Sequence, residues 1–231
     1  MNRLVRLFGS SIGRKLVTAA TGVLLIAFLF GHMYGNMKVF QGPEALNAYA
    51  AWLQGHPLLW GMRLGLLALF GVHVWLTLSL ARENRAARPE GYRRYRPRAS
   101  RLSSRYMALS GLLVLAFVVY HLLHFTFGVV DPAATRILDA GRPPDVYAAV
   151  VWSFQNPWIT GSYVVAMVLL GMHLWHGATS VFQTLGFRHE SYLTLIRVVS
   201  ASAVAALVLG NCSIPILIYA GRVALPGGIA P

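Results

Sequence analysis

Six histidines lie inside long apolar stretches of this chain: His32, His73, His121, His124, His173 and His176. A neutral imidazole carries a lone pair on one ring nitrogen and an N–H on the other. In lipid it can therefore ligate a metal, relay a proton or hydrogen-bond to a neighbouring helix. Two imidazoles facing each other across a helix bundle can fill both axial positions of a haem iron, which leaves no open site for oxygen and suits electron transfer. Zinc held by histidine alone would need three or four of them at one depth. Cys212 is the single cysteine and no Cys-x-x-Cys-His occurs, which excludes covalent haem and an iron–sulfur cluster held by this chain. No nucleophile stands beside a base and no nucleotide-binding loop is present, so no catalytic residue is assigned.

The elements that must position these histidines follow from composition. Of 231 residues 56% are hydrophobic and 12% charged, and the mean hydropathy is +0.57, so lipid is the implied solvent. The formal net charge of +13 does not indicate nucleic acid, because Lys and Arg fall between apolar runs rather than on one face of a soluble fold. Five runs reach the roughly twenty residues needed to cross about 30 Å. They lie near Leu16–Met37, Leu58–Ala81, Leu102–Gly128, Ile159–Leu185 and Tyr192–Tyr219. The first is read as a retained helix and not a cleaved signal, since it is long enough to span and no clear small-residue cleavage site follows. The connections are too short for a second domain. The expected fold is an all-α membrane protein, a five-helix transmembrane bundle forming one domain over residues 1–231.

Basic residues set the orientation. Arg3, Arg6, Arg14 and Lys15 precede the first span, and Arg82, Arg85, Arg88, Arg93, Arg94, Arg96, Arg98, Arg101 and Arg105 join the second to the third. The positive-inside rule then predicts a cytoplasmic N-terminus and an outside C-terminus. The opposite connections carry mainly Lys38, Arg136 and Arg142, together with Asp131, Asp139 and Asp145. At 1.5 Å per residue, His32 stands about 25 Å above Lys15 and His121 about 24 Å above Arg105. His73 stands about 14 Å above Arg82, and His173 and His176 about 15 to 20 Å above Gly186. The histidines thus sort into a distal level and a proximal level about 10 Å apart, which favours two pairs over one zinc cage. Height does not separate His173 from His176. His121 and His124 project about 60° apart, as do His173 and His176, so the second member of each doublet can ligate, touch a haem edge or make an interhelical hydrogen bond. Gly31, Gly35, Gly171 and Gly177 are candidates for close approach of a macrocycle.

The segments SSIGRK at Ser10–Lys15, GHM around His32, VHVW around His73, YHLLHF around His121 and GMHLWHGATSVFQTLGF at Gly171–Phe187 resemble the five-helix dihaem cytochrome b subunit of succinate:quinone reductases and fumarate reductases. The resemblance spans nearly the whole chain, and the last segment is the most specific. It implies His173 as the ligand of its doublet and His121 as the ligand on the third helix. Two non-covalent b haems follow, a distal one on His32 and His121 and a proximal one on His73 and His173.

The resemblance further implies a non-catalytic anchor in the cytoplasmic (inner) membrane. This anchor would pass electrons between an iron–sulfur subunit, itself joined to a flavoprotein, and quinone, with menaquinone the expected type. A quinone site near the distal haem would draw on Glu44, Trp52 and His56, which can equally form an interfacial loop with an aromatic belt. Arg14 and Lys15 are candidates for haem propionates, and the inner arginines as a group set topology or dock the soluble subunits. Some relatives carry a glutamate two residues before the fourth-helix ligand, tied to proton transfer; here that position is Gly171. Two other readings share part of this logic. One is the dihaem cytochrome b of a hydrogenase, formate dehydrogenase or heterodisulfide reductase, and the other is a transporter relaying protons through histidine.

Overall fold

Ser10 opens the first helix by accepting a hydrogen bond from Gly13 N–H at 3.1 Å, which satisfies one of the donors every helix start leaves over. The computed structural model describes residues 9–87, 106–140, 144–187 and 189–226. Arg3, Arg6, Arg88, Arg93, Arg94, Arg96, Arg98, Arg101, Arg105 and Arg142, on which the orientation argument leans, lie outside the described residues. Among the described residues there is no strand, and five helices are long and apolar enough to cross a membrane. They are α1 (Ser11–Asn36), α3 (Leu59–Ala86), α4 (Met107–Phe125), α7 (Pro157–Thr184) and α8 (Glu190–Tyr219).

Caps account for most differences from the expected spans. Asn156 accepts from Trp158 N–H and sets Pro157 at the first helical position, so α7 begins before Ile159. His189 caps α8 through Ser191 N–H and starts it at Glu190. At the other extreme α4 stops at Phe125, three residues short of Gly128, where a φ of +65° turns the chain. A further correction concerns α3, which continues to Ala86. It thereby carries Glu83 in its last turns, where Arg14 of α1 grips both carboxylate oxygens.

Leu24, Leu67, Leu112 and Leu209 point outward along the helices and are exposed, as lipid-facing side chains must be. The polar side chains between them turn inward on their own helix. Thr18, Thr77, Thr179 and Thr184 each donate to a carbonyl three or four residues back, which satisfies a hydroxyl where no water can.

Three shorter helices, which the sequence reading leaves as connections, close the end of the bundle away from Arg14. These are α2 (Pro43–Gln54), α5 (Pro132–Ala140) and α6 (Val146–Phe154). α6 is the most buried of them: Tyr147, Val151 and Phe154 join Val39 and Leu46 before it, and Ile159, Tyr163, Ile214 and Ile218 after it, in one core. The Asp145 side chain caps α6 through Ala148 N–H at 3.0 Å and also accepts from Asn47 Nδ2 at 2.9 Å, while Asn47 Oδ1 accepts from Tyr147 N–H. Burial, with Asp145 and Glu44 nearby, raises the Tyr147 phenol above its ordinary pKa, so it stays protonated and donates to the Ala224 carbonyl. Asp145→Ala should remove both the cap and the tie to α2. A loss of about 1 to 2 kcal/mol is expected, the scale of one N-cap, visible as a lowered midpoint in thermal unfolding of the detergent-solubilised protein.

Candidate haem-ligand site

α7 organises the interior. It packs along α8, α4 and α1, and α1 in turn packs along α3. The diagonal pairs, α1 with α4 and α3 with α7, are not packed closely together. Each diagonal carries a histidine on either helix, and across the first of them the rings meet. His32 of α1 and His121 of α4 meet edge to face with ring centroids 5.7 Å apart, His32 being stacked on Phe28 at 5.5 Å. His173 of α7 is within electrostatic reach of His73 on α3 and of its own neighbour His176.

Hydroxyls hold the rings. Thr21 Oγ1 lies 3.0 Å from His73 Nδ1 and also 2.9 and 3.0 Å from the carbonyls of Val17 and Thr18. A hydroxyl has a single proton. Spent on a helix carbonyl, it leaves Thr21 able only to accept, so His73 Nδ1 carries the hydrogen and Nε2 keeps its lone pair. The same logic runs through Ser110, which donates to Met107 O at 3.0 Å and lies 3.3 Å from His173 Nδ1. His121 Nδ1 lies 3.2 Å from the Tyr163 hydroxyl. For His73, His173 and His121 the Nδ1 partner is thus a hydroxyl on a neighbouring helix.

His124 is built differently. It is 3% exposed, and both ring nitrogens are engaged, Nδ1 by Tyr163 at 2.9 Å and Nε2 by Ser153 at 3.2 Å, so it has no lone pair to offer a metal. The ring of His176 makes no hydrogen bond among the described residues. Two glycines lie against the rings: a methyl group on Gly111 would come 3.1 Å from His173 Cε1, and one on Gly22 would come 3.5 Å from His73 Cε1. Sequence reading names other glycines, and the structure gives those other work. A side chain on Gly35 would strike Tyr49 at 2.7 Å and one on Gly171 would strike Val208 at 2.7 Å, whereas Gly31 faces open space and Gly177 faces Met107. Spacing relative to a neighbouring helix, which one sequence does not show, was the missing signal for Gly22 and Gly111.

The remaining candidates separate. Trp52 and His56 come together with ring centroids 5.6 Å apart, and His56 Nδ1 also accepts from Leu58 N–H where α3 begins. Glu44 sits at the first turn of α2, about 12 Å along the axis from Trp52 at 1.5 Å per residue. Arg14 is committed to Glu83, although its Nε is buried without a partner. Lys15 follows it on α1. No three His, Cys, Asp or Glu side chains among the described residues converge on one point, while His32 and His121 face each other across the bundle, an arrangement that suits ligation of one flat macrocycle from two helices.

The class is thus a multi-pass helical membrane protein with a histidine-lined interior. Residues 81–209, more than half of the chain, match the family described as Succinate dehydrogenase/Fumarate reductase transmembrane subunit, and the chain belongs to that family. It is a membrane-anchor subunit of such a complex. The matched stretch includes His121, His124, His173 and His176 and begins beyond His32 and His73. No curated protein and no solved structure matches the chain.

Thr21→Val should leave the His73 Nδ1–H without its acceptor. A loss of about 1 to 3 kcal/mol is expected, the desolvation cost of an unmade hydrogen bond. Thr21→Ser, which keeps the hydroxyl, should stay near the parent in thermal unfolding; equal stability of the Val and Ser variants would refute the contact.

Proposed function

We propose that this chain is the dihaem cytochrome b anchor of its complex, holding one b haem between His32 and His121 and a second between His73 and His173. The observation that carries this reading is the state of the imidazoles. Three of the four have Nδ1 engaged by a hydroxyl of another helix, which leaves Nε2 as the ring nitrogen free to ligate, and the helix pairs that carry each histidine pair are not packed closely together. Gly22 and Gly111 add room beside two of those rings.

The chain forms one domain, with the Arg14–Glu83 end at the cytoplasmic face of the inner membrane and the C-terminus outside, as the basic residues favour. His73 and His173 then lie nearer the iron–sulfur and flavoprotein subunits, and His32 and His121 nearer the outer surface. Bound at these pairs, the haems would carry single electrons between the iron–sulfur subunit and quinone, with menaquinone the expected type. The chain's own part is to hold each ring in one tautomer, to exclude water with the apolar walls of α1, α4 and α7, and to keep both axial positions filled. Trp52 and His56 are the better-supported part of the quinone candidate set, with Glu44 set apart from them. Arg14 Nε and Lys15 offer donors for propionates at the opposite end.

A pyridine haemochromogen assay on the purified chain should return two b haems per polypeptide. His32→Ala or His121→Ala should remove one of them, and His73→Ala or His173→Ala the other, while His124→Ala should not reduce the count by direct loss of a ligand. Fewer than one haem per chain, or losses that pair in any other way, would sink the assignment.

A further inference from the structure

One polar chain, buried at Tyr163, His124 and Ser153, runs beyond the ligand pairs. From His121 Nδ1 it passes to Tyr163 at 3.2 Å, to His124 Nδ1 at 2.9 Å, from His124 Nε2 to Ser153 at 3.2 Å, and from Ser153 to Asp131 Oδ2 at 3.0 Å. Three helices and a turn supply it: α4, α7 and α6, with Asp131 just before α5. Ser153 is wholly buried, and Asp131 borders a surface hollow with Val130, Trp152 and Asn156.

The direction of every link follows from its far end. Asp131 accepts on both oxygens, from Ser153 on one and from Ala134 N–H at 3.1 Å on the other, and so behaves as an acceptor-only carboxylate. Ser153 has given its one proton to Asp131, so it can only accept from His124, whose Nε2 therefore carries hydrogen. His124 Nδ1 is then the acceptor, and the Tyr163 hydroxyl must donate to it. Tyr163, its proton spent, can only accept from His121 Nδ1–H. All four donors point toward the carboxylate. Hydrogen bonds aligned in this sense polarise one another, and more strongly where water is absent.

We infer that Asp131 is a positioning residue for the haem carried by His32 and His121: through Ser153, His124 and Tyr163 it fixes the Nδ1–H tautomer of His121 and lowers that haem's reduction potential. An N–H drawn toward a negative charge makes the imidazole a stronger electron donor at Nε2, which favours the oxidised iron. Among the described residues the other pair has no such connection. Thr21 and Ser110, which hold His73 and His173, pass their protons to main-chain carbonyls and not to a carboxylate. The relay therefore separates the two potentials, with Asp131 acting on one haem only. The inference rests on the dihaem reading above.

Optical redox titration of the intact complex, with the ferric signals followed by electron paramagnetic resonance, tests it. Asp131→Asn removes the charge; Ser153→Ala cuts the chain and leaves the Ala134 contact of Asp131 in place, so it serves should the first variant assemble poorly. Both should raise the midpoint of the one haem that His32→Ala removes and alter its ferric signal, with the other haem unmoved. Asp131→Glu should return the midpoint toward that of the parent. Two bound haems with parental midpoints in both variants, or midpoints that move together, would overturn the relay while leaving the dihaem reading intact. A parent chain that binds no haem overturns both.

Discussion

A hydroxyl on a membrane helix has one hydrogen, and where that hydrogen goes decides what a neighbouring imidazole can do. In water the choice would be blurred by solvent. In a bundle without it, each donor needs a fixed acceptor, and an unmet one costs several times the net value of a made bond. Thr21 and Ser110 spend their protons on carbonyls of their own helices, and Ser153 spends its proton on Asp131. From those three choices the tautomers of His73, His173, His124 and His121 follow in turn. The chemistry available to the bundle is thus settled by side chains that are not ligands of anything.

The same constraint explains why α7 stands at the centre. It alone contacts α1, α4 and α8, and it carries both His173 and Tyr163, one toward each end of the bundle. α7 stands between α1 and α4, the two helices whose His32 and His121 rings meet. Apolar packing between α7 and α8, through Leu174, Val204 and Leu207 with Ile26, Phe30 and Met33 of α1, provides the rigid side of the bundle. α3 is the loose side: only Leu76 along it is buried, and its exposed leucines and Trp75 face outward.

Length and hydropathy made the five spans legible, and the registry of histidines with basic anchors suggested two levels before any tertiary contact was known. What remained hidden has one cause. Hydrogen-bond partners across helices depend on rotation about each helix axis, and a 3.6-residue period with apolar residues on every face leaves that rotation undetermined. Thr21, Ser110 and Tyr163 look in sequence like any small or aromatic residue of a span. The buried helix α6 was missed for a related reason: its nine residues are apolar but too few to cross, and its cap at Asp145 sits in a segment rich in proline and aspartate that reads as loop. Arg14 was legible as a basic anchor, but its partner Glu83 was not, because the apolar run ends before the helix does.

Gly171 shows how packing and polarity trade places. The resemblance directs attention to this position as one where relatives place a carboxylate two residues before the ligand. In this chain a side chain there would come 2.7 Å from Val208, so the close approach of α7 and α8 occupies the space that a longer residue would need. An acidic group on that face would require Val208 of α8 to give way. The carboxylate acceptor that the histidines reach lies at Asp131 instead, where α6 brings Ser153 against His124. The short helix α6 is therefore more than a cover for the end of the bundle, since without it the interior of α4 and α7 would have no fixed negative charge within hydrogen-bonding reach.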